Sequence, residues 1–319
     1  MSRQQHRDLM ITEIPTADEF RAAGLNQLYL AWHMAMQVGH DHEEAEELAY
    51  HLDEQEALAA ATEYWTKSQP VLANAFGLVQ QAMEMALKGR ISAISPFLLI
   101  ARDPKDWPSK VDSHPVPFSE FRTIDAADLV KVHNTFAATP LDSAFRAFWD
   151  NVRRDRNKLM HSVSAKTFEP ADLIRSILTA AEALFSDLRW PQVLLNMEAN
   201  GALAAYGISG DYDYNNVMAQ VDIAIRTLTP AEIKRFLGYD KKKRGYICPE
   251  CWHNANHDAQ DDWPALAQLH SKSPSETRLH CIVCNETVEV VRADCKQSNC
   301  KGNVLHEGTC LTCLSSIDC

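Results

Sequence analysis

The sequence predicts a mainly α fold: a helical bundle that ends in a small C-terminal unit of short β-strands held together by cysteines. Three observations predict it. The 319 residues are 46% hydrophobic with only 11 Gly and 14 Pro, the composition of a helix-rich globular chain able to bury a sizeable core. Apolar residues recur at helical spacing through most of the chain before residue 240, between recognisable start signals. All nine cysteines lie beyond residue 247. The length exceeds one typical domain. Three parts are expected: an acidic helical segment over 1–60, a helical domain over 61–240 and a cysteine-rich domain over 245–319.

From Thr16 to about Val38, the residues Phe20, Leu25, Leu28, Leu30, Trp32, Met34 and Met36 are dense enough for a helix, and Asp41 offers the N-cap of a second, acidic one. His40-Asp41-His42-Glu43-Glu44 has the residue types of a metal cluster. Acidic residues in a first helical turn complement the helix dipole without a metal, and that reading is preferred. Pro70 suits the start of the next helix and Gly89 its end. Pro104, Pro108, Pro115 and Pro117 make the stretch from Arg102 to Thr123 a loop or edge crossing between helices. Asp125 caps a short helix, and Thr139-Pro140 supply the N-cap and N1 proline of a long one. Glu169-Pro170 starts another helix. Thr229-Pro230-Ala231-Glu232 is a capping box for the last helix before a basic linker. Asp211, Asp213, Asn215 and Asp222 stand at calcium-loop offsets, but Asn216 takes the glycine position and Asp222 the place of the long bidentate Glu. A turn before a helix is the preferred reading.

Arg156-Asn157-Lys158-Leu159-Met160-His161 sets an arginine, a polar residue and a histidine near the end of the long helix. Histidine takes and returns a proton near neutral pH, and a guanidinium binds phosphoryl oxygens bidentately while staying charged. These are the groups of a ribonuclease that works without metal. The spacing alone is weak, because 17 Arg and 13 His produce it by accident; the helical setting from Phe145 onward raises it. At about 100° per residue, Phe145, Phe148, Trp149, Val152, Leu159 and Val163 form one apolar stripe, onto which Arg156 projects. A charge there needs a partner or an interface. Asn157 and His161 share the opposite side, with Arg154 one turn earlier. Arg156 and His161 therefore diverge on a straight helix. Either the helix distorts near Met160, or two copies of it pair their Arg and His groups across a dimer; Arg154 is the second choice of arginine. The bland alternative is a solvated basic face on a core helix.

At these residues the chain resembles the HEPN proteins, a helical family whose ribonuclease members carry Arg, four to six residues, then His, commonly with a polar residue directly after the Arg. Arg156, Asn157 and His161 match that pattern. The segment from Leu78 to Gly89, with Glu84 and Lys88 four apart, resembles the family's early helix. The resemblance spans about residues 60 to 235. It implies a HEPN-like helical domain, a dimer that brings Arg and His together, and service in toxin or anti-phage systems where RNA cleavage halts growth. The expected reaction is attack of an RNA 2′-hydroxyl on its adjacent phosphate. His161 moves the proton, Arg156 holds the charge that builds on the phosphoryl oxygens, and Asn157 orients the phosphate or the imidazole. The products would be a 2′,3′-cyclic phosphate and a 5′-hydroxyl. Arg153, Arg154 and Lys158 are the expected substrate-binding cations.

Cys248-Pro249-Glu250-Cys251 with Cys281-Ile282-Val283-Cys284 is a zinc-ribbon pattern, two knuckles each delivering two thiolates to one tetrahedral ion. Cys295, Cys300, Cys310 and Cys313 make a second set, with a first gap wider than a standard knuckle. Disulfides and a redox dithiol compete, but no secretory signal and no βαβ setting accompany them. Two structural zinc ions per chain are expected, and none for catalysis. His253, His257, His270 and His280 lie within or beside the first ribbon as substitute ligands, and Cys319 is left over. Such small units bury little core, so their stability should depend on the metal. Trp252, Trp263 and Lys272 suit RNA stacking and phosphate contact, although scattered aromatics are more often packing.

A net charge of −12 argues against a polyanionic partner, but residues 1–66 hold 3 Lys/Arg against 13 Asp/Glu, which leaves the remainder at −2. Arg153/Arg154/Arg156/Lys158 and Lys241-Lys242-Lys243-Arg244 are local basic clusters, so RNA contact stays open. The acidic first segment could shield the basic site. No Gly-x-Ser-x-Gly, Gly-rich phosphate loop or dinucleotide fingerprint is present, which removes the commoner hydrolase and nucleotide-enzyme readings. The first residues lead into no signal-peptide core and no apolar run reaches bilayer length, so a soluble cytoplasmic protein is expected. Expected partners are RNA, a second copy of the chain and a regulatory protein, with no membrane. The competing expectation is a non-catalytic helical and zinc-ribbon adaptor that binds nucleic acid or protein.

Overall fold

The computed structural model describes residues 10–101, 103–109, 113–161, 167–207, 211–259 and 262–316. The chain is mainly helical, and its strands are two to four residues long. In order, the elements are β1 Ile11–Thr12, α1 Ala17–Leu48, α2 Glu54–Ser92, β2 Val116–Pro117, α3 Ala126–Phe136, α4 Ser143–His161, α5 Pro170–Leu184, α6 Trp190–Ala199, α7 Asp211–Thr227, α8 Pro230–Phe236 and α9 Pro249–His253. The short strands β3 Ala267–Leu269, β4 Arg278–Cys281, β5 Thr287–Glu289, β6 Leu305–His306 and β7 Thr309–Cys310 follow. Among the described residues, no helix is long and apolar enough to cross a membrane. The chain groups into two compact units, Met1–Trp32 with Gln69–Phe168, and His33–Ser68 with Glu169–Cys319.

The first unit is built on the N-terminal half of α1 and the C-terminal half of α2. Thr16 starts α1 with a reciprocal cap, accepting the Glu19 N–H at 3.1 Å while its own N–H donates to the Glu19 carboxylate at 2.7 Å. Leu28, Trp32, Leu72, Val79, Met83, Leu87 and Ile91 are fully buried. A Cβ on Gly24 would come within 2.9 Å of the Ala82 carbonyl oxygen, and one on Gly89 within 3.0 Å of that of Ala17. The two helices therefore run antiparallel in close contact that only a residue without a side chain permits. Gly89 serves that approach and does not end α2, which continues to Ser92.

A charge pair sits inside this helix packing. The Lys88 ammonium lies 2.8 Å from the Glu84 carboxylate, at side-chain exposures of 11% and 23%, and the Gln80 amide donates to the other Glu84 oxygen at 3.2 Å. Stranding one charge of a buried pair costs about 3–5 kcal/mol. Because Glu84 keeps some access to water, Lys88→Met is expected to lower unfolding free energy by roughly 3 kcal/mol, and Glu84→Gln added to it to recover most of the loss. Urea unfolding of the two variants measures both numbers; a loss below about 1 kcal/mol in the single variant would show the pair to be no better than a surface one.

Several start signals sit elsewhere than the sequence suggests. Asp41 caps no second helix: α1 runs unbroken to Leu48, and Asp41 instead accepts the Gln37 amide at 2.6 Å. Gly39 costs about 1 kcal/mol in a helix interior, and burial of Ala31, Trp32, Ala35, Met36 and Val38 along the same helix outweighs it. Pro70 does not open a helix but lies inside α2, which Asp53 starts by accepting the Glu56 N–H at 2.8 Å. The proline removes one backbone hydrogen bond and crowds the preceding turn. In that stretch Thr62 and Thr66 turn their hydroxyls back onto the carbonyls of Leu58 and Thr62, each at 2.8 Å. Thr139-Pro140 also precede their helix. The Asn134 side chain accepts the Leu141 N–H at 2.9 Å and donates to its carbonyl at 2.8 Å, and Asp142 caps α4. Asp125 does occupy the N-cap of α3, without a side-chain capping bond.

In the second unit, Glu169-Pro170 opens α5 and Thr229 to Glu232 form the expected capping box of α8. Arg175 hydrogen-bonds the same Glu232, and this bond, with those from Thr229, holds the carboxyl down to about 2. Asp211, Asp213, Asn215 and Asp222 all belong to α7. A helix fans successive side chains around its axis, so the segment is neither a turn nor a calcium loop. Asn215 instead ties α7 to the cysteine-rich region, accepting the Asn256 N–H at 2.8 Å and donating to the Asn256 carbonyl at 3.1 Å. The Gln192 amide of α6 donates to the carbonyls of Ile282 and Val283. In the cysteine-rich region β3, β4 and β5 form an antiparallel meander, β6 and β7 a hairpin. Ile247, next to Cys248, donates its N–H to the carbonyl of Leu311, next to Cys310, at 2.9 Å.

Candidate functional site

Helix α4 carries the Arg-to-His motif. Its N-terminus is fixed by the Asp142 carboxylate, which accepts the Phe145 N–H at 2.7 Å. Of the predicted stripe Phe145, Trp149 and Val152 are buried and Phe148 and Leu159 half-buried, whereas Arg154, Asn157 and Lys158 are exposed. Arg156 lies between these sides, half-buried, with no ion-pair or hydrogen-bond partner among the described residues. A guanidinium partly withdrawn from water and lacking a counter-ion keeps its charge available to an incoming anion. Two of its neighbours are more committed. Arg153 stands 3.6 Å from Asp150 and lies over the Trp149 ring at 5.8 Å, and Lys158 stands 3.9 Å from Asp155.

The helix is α-helical through His161, so it does not distort near Met160. Five residues turn an ideal helix by about 500°, which leaves the Cα–Cβ directions at 156 and 161 about 140° apart. The side chains of Met160 and His161, and Val163 altogether, lie outside the described residues. What the fold brings together on α4 is Arg156 with the exposed amide Asn157 beside it.

The cysteine-rich region contains two groups of four sulfurs. In the first, Cys248 is the N-cap of α9, accepts the Cys251 N–H at 3.5 Å, and is followed by Pro249 at the first helical position. Cys281 ends β4 and accepts the Val283 N–H at 3.3 Å, and Asn285 then turns the chain at φ +66°. Cys248 and Cys284 stand 3.6 Å apart, as do Cys251 and Cys281, and all four sulfurs lie within 4.8 Å of one another. Four sulfurs at about 2.3 Å from one tetrahedral ion are about 3.8 Å apart. Cys248, Cys251 and Cys281 are buried.

In the second group Cys295 and Cys313 are 3.7 Å apart, Cys300 and Cys310 3.9 Å, with the same 4.8 Å limit. The wide gap before Cys300 closes as a turn, with the Cys295 N–H on the Gly302 carbonyl at 2.8 Å and the Gly302 N–H on the Cys300 sulfur at 3.2 Å. Each group can hold a metal ion. Four thiols so close cannot ionise together unaided. Cys284 is held far below the ordinary thiol range by hydrogen bonds from Cys248 first, then Cys251 and Cys281, while Cys251 is pushed far above it by Cys248 and the other two. Desolvation pushes Cys300 up to about 12. Cys313, despite desolvation, falls to about 6 through hydrogen bonds from Ser315. A divalent cation removes this conflict by stabilising every thiolate at once.

The histidines expected as substitute ligands are not in either group. His257 stacks on Trp252 at 4.4 Å and meets Trp263 edge-on at 5.5 Å. His270 and His280 meet at 6.0 Å, and His253 is exposed. Cys319 lies outside the described residues. His40 to Glu44 form no metal group among the described residues: His42 stacks on Trp65 at 4.5 Å, and Glu43 pairs with Arg226 at 2.7 Å.

One contributor that sequence reading missed is Gly302. A Cβ at this position would overlap the Cys310 sulfur and stand 3.1 Å from that of Cys300. Its signal was present, a glycine two residues after a knuckle cysteine, where the backbone N–H must approach sulfur. Gly302→Ala is expected to leave each chain one metal ion instead of two, counted by inductively coupled plasma mass spectrometry. Two full equivalents would show that the turn moves to make room.

No family model, curated protein or solved structure matches this chain.

Proposed function

We propose that the chain is a metal-independent endoribonuclease of the HEPN kind, acting as a homodimer. The observation that carries this reading is Arg156, half-buried on α4 with no anion to balance it among the described residues, five residues before His161 on an unbroken helix. Because the two side chains leave a straight helix in different directions, the reading requires two copies of α4 to meet, so that one subunit's guanidinium serves a phosphate beside the partner copy's imidazole.

In the reaction the RNA 2′-oxygen forms a bond to the adjacent phosphorus as one imidazole removes its proton. The bond from phosphorus to the 5′-oxygen breaks, and that oxygen receives the proton that the same imidazole returns. Arg156 binds the two non-bridging oxygens as their charge grows, and Asn157 orients them. Arg153, Arg154 and Lys158 hold neighbouring phosphates. The products are a 2′,3′-cyclic phosphate and a 5′-hydroxyl, and DNA, lacking the nucleophile, is left intact. The same resemblance assigns a growth-arresting or anti-phage role.

Both cysteine groups, in this reading, hold structural zinc in ribbon-type sites. Four soft thiolates at tetrahedral spacing suit that ion, and four protein ligands leave no position for a substrate. Thiolate clusters of this kind also fit a reducing cytoplasm.

The test is incubation of end-labelled RNA and matched DNA with the protein in excess EDTA, for a time too short to strip the structural ions, beside Arg156→Ala. Cleavage of RNA alone, with cyclic phosphate ends and loss of activity in the variant, is the expected result. Equal cleavage by the variant, or cleavage of the DNA, removes the proposal.

A further inference from the structure

We propose that the cysteine-rich region carries a binding cleft for the phosphodiester backbone of single-stranded nucleic acid. The cleft, about 370 Å³, is lined by Lys242, Lys243, Arg244, Lys272 and Arg292, and no carboxylate lines it. These cations come from three stretches of chain far apart in sequence, so the concentration of charge is made by the fold.

None of the five has a carboxylate partner among the described residues. The Lys243 ammonium donates to the His270 carbonyl at 2.9 Å and to that of Leu269 at 3.3 Å. The Arg244 guanidinium donates to the Lys301 carbonyl at 2.8 Å and the Thr312 hydroxyl at 3.3 Å, and lies over the Tyr246 ring at 5.4 Å. Arg292 donates to the carbonyls of Asn303, Ser273 and Glu276 at 3.3–3.4 Å. Neutral acceptors fix the direction of these three side chains without cancelling their charge. Lys242 and Lys272 are exposed and free to move. The nearby Asp240 carboxylate accepts the Lys242 backbone N–H at 3.0 Å and pairs with Lys234 at 3.4 Å, and it feels the Lys243 charge without forming an ion pair with it.

Fixed guanidiniums flanked by mobile ammoniums in an open concave groove track a flexible strand of phosphates, whereas a duplex presents a convex rod. Asn303, also in the lining, adds a neutral hydrogen-bonding group for sugars, whereas the Ser271 hydroxyl is engaged by the Glu276 carboxylate. The ring of Tyr246 is buried with its hydroxyl 3.0 Å from the Asn303 side-chain oxygen, so it offers no stacking platform. Recognition there is of the backbone and independent of base sequence. The chain as a whole is anionic, which makes the contact local and sensitive to salt.

The inference does not depend on cleavage, and its test uses strands that cannot be cleaved through a 2′-hydroxyl. Fluorescence anisotropy of the full-length, zinc-loaded protein is measured with labelled 2′-O-methyl oligouridylate and oligothymidylate twelve-mers across a salt series. Both are expected to bind with similar affinity. The Lys242→Glu, Lys272→Glu double variant should bind at least about tenfold more weakly, with the slope of log K against log salt reduced by about 0.7 for each lost phosphate contact. The Lys→Arg double variant should bind as the parent does. Metal content and unfolding midpoint, unchanged in the charge-reversed chain, establish that it is folded. An affinity within twofold of the parent in that variant overturns the proposal, as does binding confined to phosphatidylserine vesicles or to free inorganic phosphate.

Discussion

His161→Ala is expected to slow RNA cleavage by about 10²–10⁴-fold, the usual worth of positioned proton transfer, while leaving the unfolding midpoint within a degree or two of the parent's. The substitution falls at the C-terminal end of α4, whereas the buried anchors of that helix, Phe145, Trp149 and Val152, lie nearer its start. Initial rates on a labelled RNA measure the effect. Arg156→Ala should approach the same loss, because the imidazole and the guanidinium act on one transition state and their effects do not add. Arg154→Ala, on an exposed position, should cost far less. Parental rates in the histidine variant would remove proton transfer by this residue, and with it the enzymatic reading. Mixing inactive His161→Ala with inactive Arg156→Ala chains provides a further check. If sites are shared across a dimer, heterodimers that retain one intact pairing regain part of the activity.

Cys281→Ala is the second large effect expected. Cys281 is buried, faces Cys251 at 3.6 Å, and ends the central strand of the β3–β4–β5 meander. Binding of structural zinc contributes roughly 10–16 kcal/mol in comparable four-ligand sites, far more than a meander of strands this short can supply for itself. The variant should therefore lose the ion and unfold locally from α9 to β5. Loss of the Trp252, His257 and Trp263 stacking would red-shift the tryptophan emission. A chain that keeps two zinc equivalents and its emission maximum would show that three sulfurs suffice.

The sequence announced local chemistry well and continuity poorly. The Thr229–Glu232 box, the Glu169-Pro170 start and the paired cysteines were legible because each is completed within a few residues: a hydroxyl reaching an N–H three positions on, or two thiols on one turn. Asp41 and Pro70 carried start signals as strong as those, yet they sit inside α1 and α2. There the decision belongs to burial along helices of 32 and 39 residues, whose partners lie beyond any start motif: the Tyr64 hydroxyl reaches the Val38 carbonyl from 26 positions away, and the Gln69 amide that of Phe168 from 99. Thr139-Pro140 lost to Asp142 because Asn134 holds the intervening chain, a contact seven residues long that no helix-start pattern contains. The candidate site divides similarly. Arg156 and Asn157 could be read off α4, and the eight sulfurs able to hold metal off their paired spacing, whereas the cleft that unites Lys242, Lys272 and Arg292 required the folded meander.

The bond from Ile247 to Leu311 has a consequence for how two ions would be acquired. It clasps the backbone next to a ligand of one site to the backbone next to a ligand of the other, so whichever ion arrives first also freezes part of its neighbour's cage. The second then enters with less chain entropy left to lose. Titrated with less metal than it can hold, the population should divide into empty and fully loaded molecules, with singly loaded ones scarce by native mass spectrometry. The lone ion of the Gly302→Ala chain should be the more easily surrendered to a chelator.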